Sequence, residues 1–246
     1  MCKYKLTLLF LFMLNISPVY AAHSWGYEED NGPATWGKDY KLCTQGKTQS
    51  PIEIKASDIK VNPKLPPIKL GYKSSGIDIT NTGHDILLNY NNGSKILFDN
   101  NEYELLAFHF HAPAEHIVNG KRASIEIHFV HKDKKGHILV VSLMVNNGKM
   151  NYALHDIFNN IPQQANSTNF IEDKKINPLD FFPQGGGYYI YTGSFTSPPC
   201  AENVTWIILN EPIEASLEQI MKLTSVYRMN NRPVQPLNGR VIERKL

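Results

Sequence analysis

Apolar and polar residues alternate with a period of two over much of this 246-residue chain, and turn residues interrupt the alternation at short intervals. Stretches 104–111, 123–131, 138–145, 188–194 and 204–209 are rich in aromatic and β-branched side chains. Such side chains suit a pleated, half-buried surface, so each stretch predicts a β-strand. NNGS at 91–94 and the pair Asn119–Gly120 predict hairpin turns. Two stretches follow the helical period instead. Residues 152–160 predict a short helix. Residues 217–228 predict a longer one, with Ser216 as N-cap, Gln219 completing a capping box, and Leu217, Ile220, Met221 and Thr224 along one side. The fold class is predominantly β with a few short helices. GGG at 185–187 and NPKLPP at 62–67 are expected as loops within one domain, because no linker tract, charge block or repeat divides the chain.

The N-terminal pattern differs. Lys3 and Lys5 precede an apolar run at 6–16, and the small residues Ala21 and Ala22 follow. This predicts a cleaved secretory leader at 1–21 and a single domain at 22–246. The apolar run is too short for a membrane span, which needs roughly 20 residues. Without Lys3 and Lys5 the 25 basic residues fall to 23, level with the 23 acidic ones. A neutral surface offers no field for nucleic acid or an anionic membrane, so neither is expected as a partner. Cys2 leaves with the leader. Cys43 and Cys200 remain, an even pair in an exported chain, which predicts one disulfide.

Chemistry concentrates in FHFHAPAEH at 108–116. In a strand, residues i and i+2 share a face, so His109 and His111 point together while Phe108 and Phe110 point the opposite way. An isolated His-x-His is as often a solvated pair as a ligand pair. A third histidine changes the balance. After the turn at Asn119–Gly120 the chain returns as ASIEIHFVH, and a paired return strand could set His128 beside His109 and His111. Glu126 shares that face and offers a carboxylate to fix a ligand imidazole's tautomer. His131 falls on the opposite face and is expected to be structural. Three histidines with one open position describe a catalytic zinc site, whereas structural sites are closed by four protein ligands.

Motifs along nearly the whole chain resemble the α-class carbonic anhydrases of the bacterial exported kind. They are HSWGY (23–27), NGP (31–33) with Trp36, QSPIEI (49–54), NTGH (81–84), FHFHAPAEH, EIHFVH, YTGSFTSPPC (191–200), VTW (204–206) and NNRPVQPLNGR (230–240). The resemblance implies a large twisted, mostly antiparallel central sheet with Zn2+ at the base of a cleft, and reversible hydration of CO2 to bicarbonate. It implies His109, His111 and His128 as zinc ligands, and a gate in which Thr196 donates a hydrogen bond to Glu115. It also implies His84 as proton shuttle and Val130, Val140 and Trp206 as an apolar wall for CO2. His116 and Asn230, with Glu126, stand where the family supports its ligands. Tyr27 stands where a residue orders water. Cys43 and Cys200 match the bacterial disulfide, which would stiffen the loop carrying Thr196. Three departures stand out. Ala107 replaces a glutamine that braces the first histidine, Phe195 replaces a leucine at the pocket mouth, and Leu87 is less polar than usual near the shuttle. The implied partner is the small molecule CO2 or bicarbonate, the implied compartment is the periplasm or the exterior, and the chain is expected as a monomer or homodimer. Two rivals from other classes are an inactive binding module and a zinc esterase. The retained histidines disfavour the first, and the lack of a substrate-pocket signature disfavours the second.

Overall fold

The computed structural model describes residues 25–90, 93–183, 185–227 and 229–246. The expected leader lies outside the described residues. Ten strands form the main path of a thirteen-stranded sheet: β1 (Ile59–Val61), β2 (Ser75–Asn81), β3 (Ile86–Asn89), β4 (Asn101–His111), β5 (Ile125–Lys132), β6 (Ile138–Asn147), β7 (Ser167–Ile176), β8 (Tyr188–Ser194), β9 (Glu202–Leu209) and β10 (Ile242–Lys245). Their spatial order is β7-β2-β3-β4-β5-β6-β9-β8-β10-β1. Pairing along this path is antiparallel except at β6–β9 and β10–β1. The sheet is therefore mixed but mostly antiparallel, as expected. The helices are short: α1 (Leu42–Gln45), α2 (Tyr152–Asn159) and α3 (Leu217–Thr224).

Central strands β4, β5 and β6 are covered on both faces, which is why aromatic and aliphatic residues crowd them. One face carries Phe108, Phe110, Ile127, Phe129, Leu139, Val141 and Leu143 against Leu154, Ile157 and Phe158 of α2 and Leu223 of α3. Each fully buried side chain of this size contributes about 1.5–3 kcal/mol. That anchoring holds the opposite face in one register. Across it run two rows set by strand pairing: Leu87–His109–His128–Ser142 and Ala107–Val130–Val140–Trp206–Tyr191.

Three local expectations need correction. The pairing of β4 with β5 slips between Leu105 and Ala107. This bulge leaves Leu105 in the core and turns Leu106 outward at 42% exposure, so strict alternation from 104 to 111 does not hold. The strands on either side of 91–94 do not pair with each other, as the expected hairpin requires. β3 and the short strand Lys95–Phe98 both pair with β4, end to end along it. Positions 91 and 92 themselves lie outside the described residues. Helix α3 keeps its capping box but stops at Thr224 rather than 228. The Thr224 hydroxyl turns back to the carbonyls of Ile220 and Met221, and Ser225 Oγ takes that of Lys222, competing with helix continuation. By contrast Asn119 and Gly120 both adopt positive φ (49° and 73°), and Val118 and Lys121 exchange hydrogen bonds across them, the two-residue hairpin expected.

Candidate metal centre

Register brings the three histidines together. His109 on β4 lies directly opposite His128 on β5, and His111 follows two residues on from His109. Ring centroids stand 5.0 Å apart for His109 and His111, 5.2 Å for His109 and His128, and 4.6 Å for His111 and His128. Each offers a nitrogen, and the three nitrogens lie within 4.8 Å of one another.

The groups behind two of these rings are well defined. His111 Nδ1 lies 2.6 Å from the Asn230 carbonyl oxygen and donates to it. Its Nε2 is buried without a hydrogen-bond partner among the described residues, facing the cluster. His128 Nε2 donates to Glu126 Oε1 at 2.8 Å, which leaves Nδ1 for the cluster. Glu126 is wholly buried yet receives five donors: His128, His116 Nδ1 at 2.7 Å, Ser142 Oγ at 2.6 Å, and the backbone amides of Glu115 and His116 at 2.8 Å. Burial alone would raise its pKa. His116 and His128 outweigh that and hold the carboxyl well below its ordinary range. Burial presses His128 down to about 4, against the pull of Glu126. Burial and the neighbouring His111 press His109 down to about 3. Both imidazoles are thus neutral, the form that ligates a metal. A buried nitrogen with nothing to bond, convergent neutral imidazoles and tautomers set from behind fit a zinc ion with three protein ligands.

Glu115 follows β4 and joins this frame. Its Oε1 accepts from the Arg232 amide at 2.8 Å. Its Oε2 is buried and makes no hydrogen bond with any described residue, lying 3.5 Å from His111 Nε2 and 3.9 Å from His128 Nδ1. The hydrogen bond expected between Thr196 and Glu115 is not formed here, because the carboxylate faces the Arg232 amide and the imidazoles instead. Thr196 itself is buried, between Phe195 and a turn closed by Cys200 N donating to Ser197 O at 2.9 Å. The Cys43–Cys200 disulfide expected from the cysteine count is present and spans 157 residues.

Val130, Val140 and Trp206 lie side by side in one row, and the Trp206 ring stands 4.8 Å from that of His128. Phe195 packs against the same cluster, half-buried. Leu87 faces His109 across the strand pair. His116 sits behind the ligands, its Nε2 2.7 Å from Tyr191 Oη, which in turn lies 2.8 Å from Ser50 Oγ. His84 comes from the loop between β2 and β3, half-buried, its ring stacked on Trp25 at 4.0 Å. Burial lowers its pKa from 6.5 and Asp85 opposes this. Asn230 ties that loop to the centre, since its Nδ2 donates to the His84 carbonyl at 3.1 Å. Tyr27 packs on Trp25 and Trp36. His131 lies on the far face as expected, fully buried against Tyr72.

Sequence reasoning missed four contributors. Ser142 gave no signal, since a serine inside an apolar strand carries no pattern. Tyr191 and Trp25 stood inside recognised motifs but without a role. Arg232, 2% exposed, holds Glu115 through its amide and anchors the Ser50 and Cys43 carbonyls through its guanidinium at 2.7 and 2.6 Å. Only a three-dimensional contact reveals that position.

The family model described as eukaryotic-type carbonic anhydrase matches residues 31–246. A carbonic anhydrase of Pectobacterium carotovorum is 38% identical over 98% of this chain and 98% of its own length. Among solved structures, an α-carbonic anhydrase of Thermovibrio ammonificans bound to the inhibitor sulfanilamide superposes with a TM-score of 0.85 at 40% identity, covering 89% of this chain and 98% of that one. A hyperthermostable carbonic anhydrase from an active hydrothermal vent chimney also gives 0.85, at 42% identity over 91% of this chain and 100% of its own.

Proposed function

Because the chain belongs to the eukaryotic-type (α) carbonic anhydrase family, whose members are lyases hydrating CO2, we propose that it interconverts CO2 and bicarbonate at a zinc ion held by His109, His111 and His128. The observation that carries this reading is the buried, unpartnered His111 Nε2 converging with neutral His109 and His128. Bound zinc lowers the pKa of water to about 7 and so supplies a hydroxide nucleophile at neutral pH, a general value for carbonic anhydrase zinc rather than a property read from this chain.

The chain's own residues do the rest. Glu126 fixes His128 in the tautomer that presents Nδ1, and the Asn230 carbonyl fixes His111 in the one that presents Nε2. Thr196 would accept the hydrogen bond of the attacking oxygen and pass its own to Glu115 Oε2, which is buried without a partner among the described residues and would turn from the two imidazoles to receive it. That arrangement would aim a lone pair at the substrate and reject anions that cannot donate to Thr196. CO2 is uncharged, and the row Val130, Val140 and Trp206 gives it a dry wall that does not compete for hydrogen bonds. Each hydration releases a proton that Thr196 and Glu115 cannot export. His84 carries it out, since a histidine pKa near neutrality suits both uptake and release.

No described helix is long and apolar enough to cross a membrane, and a disulfide together with bacterial relatives is consistent with export. We assign residues 1–21 to a cleaved leader, 22–246 to the catalytic domain, and the protein to the periplasm or the exterior. The test is zinc analysis of the purified protein beside a stopped-flow CO2 hydration assay. One zinc per chain and chelator-sensitive hydration are expected, with both lost in His128→Ala. Hydration that survives complete zinc removal, or ester hydrolysis without CO2 hydration, would refute the assignment.

A further inference from the structure

The three rings of the metal centre are not equally supported. His111 rests on the Asn230 carbonyl and His128 on Glu126. His109 makes no hydrogen bond through either ring nitrogen with any described residue. Its neighbours explain why. On the same face stand Ala107, two residues back along β4, and Leu87, directly across on β3; His128 and His111, on its other sides, turn their own nitrogens inward. Ala107 and Leu87 bring no polar side-chain atom at all. His109 is also half-buried, whereas His111 and His128 are 2% and 1% exposed. An imidazole with no acceptor behind it has neither its tautomer nor its ring orientation fixed by protein.

We propose that His109 is the weak arm of the metal centre, and that Ala107 makes it so: the ion dissociates by releasing His109 first, and the protein holds zinc more loosely than its two well-braced histidines would allow. This rests on the reading that the three histidines hold zinc. Residues i and i+2 of a strand lie about 6.6–6.8 Å apart on one face, within reach of a glutamine side chain. Ala107 is half-buried, so a longer side chain there is not enclosed on all sides. A glutamine at 107 would therefore supply the missing acceptor without disturbing the core face. Asn89, opposite Ala107 on β3 and exposed, carries an amide that could act instead through solvent.

The experiment measures zinc release from the reconstituted full-length mature protein into a chromophoric chelator, with no activity readout needed. Wild type, Ala107→Gln, Ala107→Leu and Asn89→Ala are compared, and the melting temperatures of the zinc-free proteins serve as a check on folding. Outer partners of metal ligands typically matter 10–100-fold. Ala107→Gln should slow release about 10-fold, while Ala107→Leu, which fills the same space without an acceptor, and Asn89→Ala should stay within about twofold of wild type. A glutamine variant that binds one zinc but releases it at the wild-type rate overturns the proposal. So does equal slowing by leucine, which would make the effect one of packing, or about 10-fold faster release from Asn89→Ala, which would show that His109 is already braced. Wild-type protein that takes up no zinc is a different failure, that of the metal reading itself.

Discussion

Replacing His131 with Phe tests the division of the sheet into a site face and a core face. His131 is fully buried, with Nε2 3.0 Å from Tyr72 Oη and Nδ1 3.3 Å from the Leu139 carbonyl. A neutral ring satisfies both, donating from Nδ1 and accepting the Tyr72 proton at Nε2. Burial holds its pKa at about 4, although backbone acceptors pull it upward. An unfolded histidine titrates near 6.5. As the pH falls from 6.5 towards 4 the unfolded chain takes up a proton that the folded chain refuses, so stability falls with pH across that window. The slope is about 1.4 kcal/mol per pH unit, or about 3 kcal/mol over the whole interval. At pH 7 the Phe variant should be less stable by about 1–3 kcal/mol, because the buried Tyr72 hydroxyl loses its acceptor. It lacks the acid-side penalty, however, so the gap should close by about 3 kcal/mol on going to pH 4 and the two curves should meet or cross. Urea unfolding of both zinc-free proteins at several pH values, disulfide intact, provides the measurement. The depressed pKa values of His109 and His128 act alike in both proteins and cancel in the difference. Parallel stability curves would refute the reasoning, and loss of zinc binding in the variant would put His131 on the site face.

Two further outcomes concern the cleft. His84→Ala should lower kcat in dilute buffer with kcat/KM for CO2 nearly unchanged, and small imidazole buffers should restore much of the loss. In the wild type the acid limb of kcat should have its midpoint below 6.5, because burial lowers the His84 pKa; unaltered kcat in the variant would place the shuttle elsewhere. Phe195→Leu should strengthen binding of aromatic sulfonamides, the inhibitor class seen in the Thermovibrio relative, several-fold more than binding of small anions. Equal shifts for both, measured by inhibition titration, would remove Phe195 from the pocket mouth.

Much of the site was legible before any fold was known, and the legible part is local. Strand periodicity alone puts His109 and His111 on one face and Phe108 and Phe110 on the other, because successive side chains in a pleated strand must point apart. The same rule separates Glu126 and His128 from His131. The capping box of α3 and the turn at Asn119–Gly120 were equally readable, since each is a bargain between near neighbours over backbone hydrogen bonds or positive φ. Tertiary structure decided what lies beyond that range. It set His109 opposite His128, spent one residue on the bulge that expels Leu106, laid β3 and Lys95–Phe98 along the same partner strand, and brought Arg232 across 117 residues to Glu115. A sequence states which polar atoms will need partners. Which atoms meet them depends on how the whole core packs, because register and long-range contacts are chosen by the burial of every strand at once and not by any one of them.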